Sequence, residues 1–251
     1  MHRGLALFLK LLLGLGLFVL VLFNGLVDQS FIKDDPVARF WLLAGTGALV
    51  LTDAIWTAVA VFIGRGKAAR QERIRLFLLP VIREVARRHR IDITLLGASV
   101  FRVRRRFGLF GRKQLERVDR YRMSDLPQQS KVVWVSGKGA IGEAWRNVAI
   151  EHVDWRPIQA RWGSGKVKTE ADWTRVPLED RCGMTMAEFL NIVDKYAEVL
   201  AIPILKPNTT RCDGVLSLDV PIRANVGSLV LNDVDTVEKA TEAATVIHNV
   251  L

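Results

Sequence analysis

The chain has 251 residues, of which half are hydrophobic and a quarter are charged, an ordinary composition for a folded protein. Two cysteines, Cys182 and Cys212, are too few for a disulfide scaffold or a structural zinc site. The four histidines show no His-x-x-x-His pair or other metal-ligand spacing. These features exclude a secreted miniprotein, a zinc hydrolase and a zinc finger, and no metal site is expected.

The net charge of +10 is concentrated in one part of the chain. Residues 1–64 are neutral, residues 65–122 carry 18 basic and 5 acidic side chains, and residues 123–251 carry 14 basic and 17 acidic ones. The excess of basic residues therefore belongs to a middle block.

Two apolar stretches near the N-terminus are each long enough to cross a bilayer. They are residues 5–27, with Lys10 as the only charge, and residues 40–63, with Asp53 as the only charge. About 20 apolar residues span a hydrocarbon core of about 30 Å. A cleaved signal peptide is the alternative for the first stretch, but its apolar run is too long and no small-residue cleavage site follows. The sequence predicts a hairpin of two transmembrane helices within residues 1–64.

The charges that flank these stretches predict their orientation. The loop 28–39 holds two cations and three carboxylates, whereas five cations follow the second stretch within eleven residues: Arg65, Lys67, Arg70, Arg73 and Arg75. Cytoplasmic flanks of membrane helices carry an excess of Lys and Arg. We therefore expect a protein of the bacterial inner membrane with both termini, and all of residues 64–251, in the cytoplasm.

Asp53 lies near the middle of the second stretch, where an ionised carboxylate costs about 3 kcal/mol. One interpretation is a polar contact inside a homo-oligomer, or a group that lines a path through it. The other is a protonated carboxyl bonded to Thr52 or Thr57 of its own helix. Ala54 and Ala58, four residues apart, offer a small-residue face for close packing of helices.

Residues 65–91 read as a basic linker helix. The apolar residues with the spacing of one helical face are Ile74, Phe77, Leu78, Val81 and Val85. Pro80 lacks a backbone N–H and is expected to kink or divide the helix. Because the arginines follow a membrane span directly, anionic lipid is the expected partner. Nucleic acid is not expected, since no stacking platform or base-reading motif accompanies the charge.

Residues 92–251 alternate between predicted strands and helices. The predicted strands cover residues 96–103, 115–123, 131–135, 200–205 and 214–220. A glycine-rich segment at 137–145 opens a short helix, and residues 235–250 form the last one. Thr185, with Glu188 in capping-box position, opens another helix whose predicted buried face is Phe189, Ile192, Val193 and Tyr196. The polar stretch 148–183 carries three tryptophans but no predicted element.

The order of these elements and two of the segments resemble a GAF domain. The segments are residues 137–145, with the pattern G-x-G-x-x-G-x-A, and residues 200–221, which contain LAIPIL and GVLSLDVP. The whole chain resembles membrane-anchored GAF domain proteins of bacteria. This resemblance implies an α+β fold over residues 92–251, an antiparallel sheet flanked by helices with a ligand pocket, and a tendency to dimerise through the terminal helices.

The glycines at 137, 139 and 142 also match a dinucleotide-binding fingerprint in isolation. That fingerprint requires a parallel, doubly wound arrangement, which the following elements do not show. The glycines are expected instead to allow a tight turn beside the pocket.

The sequence does not identify a ligand or a cofactor. The cyclic-nucleotide signature N-K-x-n-F-x-x-x-D-E of some GAF domains is absent, and no cysteine or histidine can be assigned to a bilin or a haem. We expect Trp134, Lys138, Trp145 and Trp173 to contact the ligand, with the indoles as walls for a planar molecule. Ordinary core packing is the alternative for the tryptophans. Asp219 is expected to order the turn into Pro221.

These features predict a membrane-anchored cytosolic sensor that binds a small ligand or a protein partner and signals through its transmembrane helices or by oligomerisation. A ligand-gated effector of bacterial defence that permeabilises the membrane is the alternative, and a structural anchor with an empty pocket is a third. No catalysis is expected. One GAF branch reduces free methionine sulfoxide with a cysteine cluster, but only Cys182 and Cys212 are present here.

Overall fold

The computed structural model of the chain describes residues 14–19, 21, 23, 27, 36–106, 111–224 and 228–251. Much of the first predicted span, 5–27, and most of the loop 28–39 lie outside these residues, while the described residues of the span are helical. The chain divides into two compact units, Met1–Ala68 and Ala69–Leu251.

Helix α1 runs over Pro36–His89. Within the described part of the chain, one helical segment is long and apolar enough to cross a membrane, Leu43–His89 of α1. The most apolar stretch of this segment is not buried. The predicted span 40–63 lies within this helix. The predicted hairpin of two transmembrane helices, with a first span at 5–27, stays a prediction. Of the two outcomes predicted at Pro80, a kink or a division of the helix, the division is wrong, because the helix continues through this residue. Buried residues on both sides of the proline, Leu78 and Ile82 among them, outweigh one lost hydrogen bond.

The second unit is built on a five-stranded antiparallel sheet. Its strands are β1 Gly97–Arg105, β2 Lys113–Arg122, β3 Glu151–Asp154, β4 Tyr196–Leu205 and β5 Cys212–Pro221. They lie in the order β2-β1-β5-β4-β3, and every neighbouring pair is antiparallel. The predicted α+β class, with an antiparallel sheet flanked by helices, is confirmed.

The strand predicted at residues 131–135 is absent. This segment lies beside the free edge of β2, and Leu115 donates one backbone hydrogen bond of 2.9 Å to the carbonyl of Trp134. Val132 and Trp134 are buried while Val133 is 50% exposed, which is the alternation of a strand. Alternation determines which side chains face the core, but it does not determine backbone pairing.

Among the described residues of the second unit, six helices follow α1. They are α2 Gly139–Asn147, α3 Arg156–Trp162, α4 Glu170–Arg175, α5 Leu178–Arg181, α6 Met186–Leu190 and α7 Val234–Ile247. Short 3-10 turns occupy Ile93–Leu95, Ile222–Ala224 and His248–Val250. The polar stretch 148–183 thus forms β3 and three short helices.

The capping box predicted at Thr185 and Glu188 is present at the start of α6. The predicted extent of this helix is wrong, because α6 ends at Leu190. Ile192 and Val193 lie in the turn that follows, and Tyr196 begins β4. All of these apolar side chains are buried. Burial in a turn therefore produced the same spacing as the buried face of a helix.

The sheet has a different cover on each face. Ala98 and Val100 of β1 face a core formed with the C-terminal half of α1 and with α7, which contribute Ile74, Leu78, Val81, Ile82, Val85, Ala240, Ala243, Ala244 and Ile247. Phe101 faces a second core shared with α2 and the short helices. Full burial of a Leu or Ile side chain contributes about 1.5–3 kcal/mol, so α1 and α7 hold one face firmly. The other face contains the cavity.

Candidate functional site

A cavity lies between the sheet and α2, on the face opposite α1 and α7. The empty space between its atoms, including the open mouth, is about 440 Å³. The polar residues that line it are Ser99, Arg117, Ser130, Tyr196, Ser217 and Asp219. Its apolar walls include Phe101, Trp134, Ile141, Trp155, Met184 and Ile192. It thus combines the two kinds of surface that bind small molecules, a mostly apolar wall and a few polar groups.

Strand register brings two of the serines together. Ser99 of β1 is paired with Ser217 of β5. Side chains on directly opposed residues of an antiparallel pair point to the same face. Both hydroxyls therefore face the cavity, and they are buried.

A β-bulge places Arg117 at the cavity. The register between β1 and β2 shifts so that one extra residue, Val118, lies in β2. In a regular strand Arg117 and Asp119 would point to the same face. Here Asp119 turns towards α1, where its carboxylate accepts a hydrogen bond of 3.1 Å from Arg75, while Arg117 lines the cavity.

The cavity contains buried N–H groups that lack partners. Nε and Nη1 of Arg117 and Nε1 of Trp134 are buried, and no described residue accepts a hydrogen bond from them. The guanidinium of Arg117 lies over the ring of Phe101, with 5.1 Å from Cζ to the ring centroid. Burial lowers the pKa of Arg117, although a guanidinium stays charged at neutral pH. Arg117 therefore brings to the cavity a positive charge with two buried N–H groups that no described residue accepts.

Asp219, in contrast, has a partner. Its carboxylate accepts a hydrogen bond from Arg122, which also donates to the carbonyl of Leu95 at 2.8 Å. Gly97 leaves room for this pair, since a Cβ at residue 97 would lie 2.7 Å from Asp219 Oδ2. Burial raises the pKa of Asp219 and the positive charge of Arg122 opposes that shift. The charge of Asp219 is thus compensated within the protein, while its role in ordering the turn into Pro221 stays a prediction.

Tyr196 contributes a neutral hydroxyl to the cavity. Burial, together with the negative charge of Asp219, raises the pKa of Tyr196 to about 12. The phenol therefore stays protonated across the physiological range and can donate a hydrogen bond.

Of the predicted ligand-binding residues, Trp134 lines this cavity, and Lys138 and Trp145 do not. Lys138 lies directly before α2, and its ammonium donates to both carboxylate oxygens of Glu188 at 2.8 and 2.9 Å. Trp145 lines a different cleft, beside Arg211 and Cys212. Contact of these side chains with a ligand stays a prediction.

Trp173 is also outside the cavity. Its ring packs against Phe189 with 5.3 Å between the centroids, and the guanidinium of Arg181 lies 4.7 Å from its centroid. Arg181 in turn donates to the carbonyls of Trp173 and Thr174. Through these contacts Trp173 packs α4 against α5 and α6.

The glycine turn lies beside the cavity, as predicted. Gly137 and Gly139 have φ angles of 82° and 56°, in the left-handed region that favours glycine. Gly139 lines the cavity, and a Cβ there would lie 3.1 Å from Cζ3 of Trp134. Residue 139 therefore has to be glycine both for its backbone conformation and for the approach of the indole.

The sequence prediction missed Arg117, Ser99, Ser130, Ser217 and Tyr196. A usable signal existed in β1 and β5, where serines interrupt the apolar segments GASVF and GVLSLDV. For Arg117 there was no such signal, because its neighbours in β2 are mostly charged and the bulge breaks their alternation.

Both cysteines are free thiols that lie outside the cavity lining. Burial raises the pKa of Cys182 to about 11, and its thiol donates to the carbonyl of Glu179 at 3.5 Å. Burial also raises the pKa of Cys212, whose thiol donates to the carbonyl of Gly214 at 3.0 Å. Neither has the lowered pKa of a reactive cysteine. Within the described ranges, no group of three His, Cys, Asp or Glu residues could hold a metal ion.

No protein-family model and no protein of curated function matches this chain. Among solved structures it is similar to fRMsr of Staphylococcus aureus in its reduced form, with 13% identity, a TM-score of 0.37, and coverage of 70% of this chain and 94% of that one. A nitrate-binding-site mutant of NreA from Staphylococcus aureus matches with 12% identity, a TM-score of 0.34, and coverage of 62% and 92%. A GAF sensor protein from Burkholderia vietnamiensis matches with 14% identity, a TM-score of 0.34, and coverage of 74% and 92%. Similarities at this level carry no argument about the site, whose chemistry has to be judged from its own residues.

Proposed function

We propose that this chain is a membrane-anchored sensor whose GAF-like domain, residues 92–251, binds a small molecule in the cavity. The observation that carries the proposal is the set of unpaired donors on Arg117 and Trp134, within a cavity whose walls combine apolar side chains with a few polar groups. Folded proteins satisfy most of their buried polar groups, and each one left unpaired costs about 1–3 kcal/mol. A bound ligand that accepts these hydrogen bonds would recover that free energy.

Binding without a chemical step fits this lining better than catalysis does. Among the described residues that line the cavity there is no histidine and no cysteine. Asp219 is held by Arg122, and the pKa of Tyr196 is raised to about 12. A general acid or base works best with a pKa near the operating pH, which Tyr196 does not have.

The membrane part of the proposal rests on α1. Leu43, Leu51, Ile55 and Phe62 are all more than half exposed along its apolar segment. Exposing apolar area to water costs about 25 cal/mol per Å², and so large an apolar surface is typical of a membrane or protein contact. A bilayer would cover it. In this proposal the segment 1–64 forms the membrane hairpin, anionic lipids contact the cations at 65–75, and both termini are cytoplasmic.

A physical connection from cavity to helix supports signalling through α1. Arg117 lines the cavity and Asp119, two residues further along β2, is paired with Arg75 of α1. A ligand that moves β2 at Arg117 would act on this ion pair. Oligomerisation through the membrane helices would then carry the output, with Asp53, half-buried in α1, as the polar group at the helix contacts.

The proposal is tested by a ligand screen on the full chain in lipid nanodiscs, with the melting temperature as readout. Small neutral, anionic and cationic molecules are compared. At least one of them should raise the melting temperature of the wild type, because a ligand that binds the folded state stabilises it. Ala140→Val reduces the cavity volume and should weaken that response.

The matched control is Ala243→Val, which adds the same volume to a buried alanine on the opposite face of the sheet. This variant should respond to the ligand as the wild type does. The proposal fails if no compound of any charge shifts the melting temperature, or if Ala140→Val responds to every ligand as well as Ala243→Val does.

A further inference from the structure

The charges around the cavity do not cancel. Asp219 is paired with Arg122, so that these two charges compensate each other. Arg117 adds a further positive charge at the cavity, with Nε and Nη1 buried and without acceptors among the described residues. A buried donor without an acceptor is unfavourable, and an anion beside Arg117 would accept from these N–H groups and offset its positive charge.

Like the positive charge, the polar groups that line the cavity favour a ligand that accepts hydrogen bonds. Arg117 and the indole N–H of Trp134 can only donate. The hydroxyls of Ser99, Ser217 and Tyr196 can donate as well, while the carboxylate of Asp219 is already engaged by Arg122. The lining therefore suits a ligand whose polar end mainly accepts hydrogen bonds.

The apolar part of the lining fits a bare inorganic anion poorly. Phe101, Trp155 and Ile192 present aromatic and aliphatic surface to the cavity. An inorganic oxyanion is polar on every side and would leave these walls without a partner. The enclosed part of the cavity offers only about 30 Å³ to a water-sized group, and the space of about 440 Å³ includes the open mouth. The ligand therefore has to be compact. A compact molecule with one charged end and an apolar body matches both surfaces.

We infer that the cavity binds a small organic carboxylate. Its carboxylate accepts hydrogen bonds from Arg117 and Trp134, and its apolar body packs between Phe101, Ile141 and Trp155. This inference rests on the proposed function, because it names the class of ligand for the same cavity. The bulge at Val118 gives the cavity its preference for a carboxylate, since it turns the guanidinium of Arg117 towards the ligand.

The test uses the full chain in lipid nanodiscs with benzoate as the probe and benzamide as its neutral counterpart of nearly the same shape. Benzoate should raise the melting temperature and bind at least about tenfold more tightly than benzamide, because charge-assisted hydrogen bonds are roughly twice as strong as neutral ones. Cationic benzylamine should not bind. This comparison needs no variant and holds even if a substitution disturbs folding.

Variants then test whether the preference for benzoate depends on the side chain of Arg117. Arg117→Met should weaken benzoate binding about tenfold or more and benzamide binding by clearly less, so that the preference for benzoate is lost, and Arg117→Lys should restore part of that preference. Arg104→Met is the matched control, because Arg104 is an exposed arginine of β1 paired with Glu116 at 2.8 Å. Without ligand, Arg117→Met should melt at or above the temperature of the wild type, because it removes two buried N–H groups that lack acceptors.

Three outcomes overturn the inference. Benzamide could bind as tightly as benzoate, Arg117→Met could retain the preference for benzoate, or the ligand found in the screen could be neutral or cationic. In each of these cases a small molecule still binds and the proposed function survives. If no molecule of any charge binds, the proposed function itself fails and the inference fails with it.

Discussion

Three arginines of β2 differ in function although they lie within six residues of one another. Arg122 neutralises Asp219, Arg120 donates to the carbonyl of Pro127 at 2.6 Å, and Arg117 keeps unpaired donors at the cavity. Charge alone does not distinguish them, since each carries the same guanidinium. Their partners differ because the bulge and the neighbouring strand place each side chain in different surroundings. At the scale of a residue, the environment decides what the charge does.

Cys182 provides a test at this scale. Burial raises the pKa of its thiol to about 11, so the reactive thiolate is scarce at neutral pH. In a Cys212→Ser variant, we expect alkylation of Cys182 by iodoacetamide to accelerate roughly tenfold for each pH unit between about pH 8 and pH 10. Mass spectrometry of the labelled protein measures this rate.

Free cysteine is the control for this measurement, since its rate should level off near its ordinary pKa of about 8.5. A rate for Cys182 that levels off below about pH 9 would mean a more acidic thiol. That result would contradict the prediction and would favour a reactive cysteine, as in an enzyme.

At the scale of elements, the start of α6 and the start of α2 are tied together. Glu188 accepts hydrogen bonds from Thr185 in the capping box and from Lys138 just before α2. Burial opposes ionisation of Glu188, but the hydrogen bonds from Lys138 and Thr185 outweigh it and lower the pKa of this carboxyl. Because Gly139 follows Lys138 and lines the cavity, this cluster also holds the glycine turn in place.

Loss of the cap should therefore destabilise the domain. Thr185→Ala removes the side chain that accepts from the backbone N–H of Glu188, and we expect a decrease of about 1 kcal/mol in the free energy of unfolding. Urea unfolding of residues 69–251, followed by circular dichroism, measures it. Thr245→Ala is the control, because this hydroxyl bonds to the carbonyl of Thr241 within α7 and is exposed. Equal losses in the two variants would argue against the cap.

At the scale of the molecule, the basic block is less available to lipid than its charge suggests. Within residues 65–122, several arginines are paired with carboxylates: Arg75 with Asp119, Arg87 with Glu84, Arg88 with Asp233 and Asp235, and Arg104 with Glu116. Each cation near an anionic surface contributes about 1 kcal/mol only if it reaches that surface. The net +13 of the block is therefore an upper limit on its attraction to the membrane.

The proposed topology predicts which residues are accessible from outside the cell. Cysteine is introduced at Asp34, in the loop that lies outside the described residues, or at Glu238, which is exposed on α7. The background is a variant with Cys182 and Cys212 replaced by serine. In intact cells an impermeant thiol reagent should label residue 34 and leave residue 238 unlabelled, because the cations at 65–75 are retained on the cytoplasmic side.

Permeabilised cells are the control, in which both introduced cysteines should react. Labelling of residue 238 but not of residue 34 in intact cells would reverse the topology. Recovery of the whole chain in the soluble fraction after lysis would reject the membrane anchor itself.

Much of the fold followed from local patterns. The apolar runs at 200–205 and 214–220 predicted β4 and β5, although β4 begins four residues earlier, at Tyr196. The pairing of Thr185 with Glu188 predicted a helix start, and the glycines predicted the turn beside the cavity. The missing strand at 131–135 and the early end of α6 were not predicted. In those cases the same local pattern fits more than one structure.

The candidate site depended far more on tertiary structure. The sequence by itself determined the charged middle block and the apolar segment of α1, because composition and periodicity are properties of neighbouring residues, and its resemblance to a GAF domain implied the class of the fold. Only the tertiary structure decided that Arg117, Trp134, Ser99 and Ser217 line one cavity, and that Lys138 binds Glu188. These residues meet across strands and through a bulge. Strand register is set by contacts between distant parts of the chain, so no local pattern contains it.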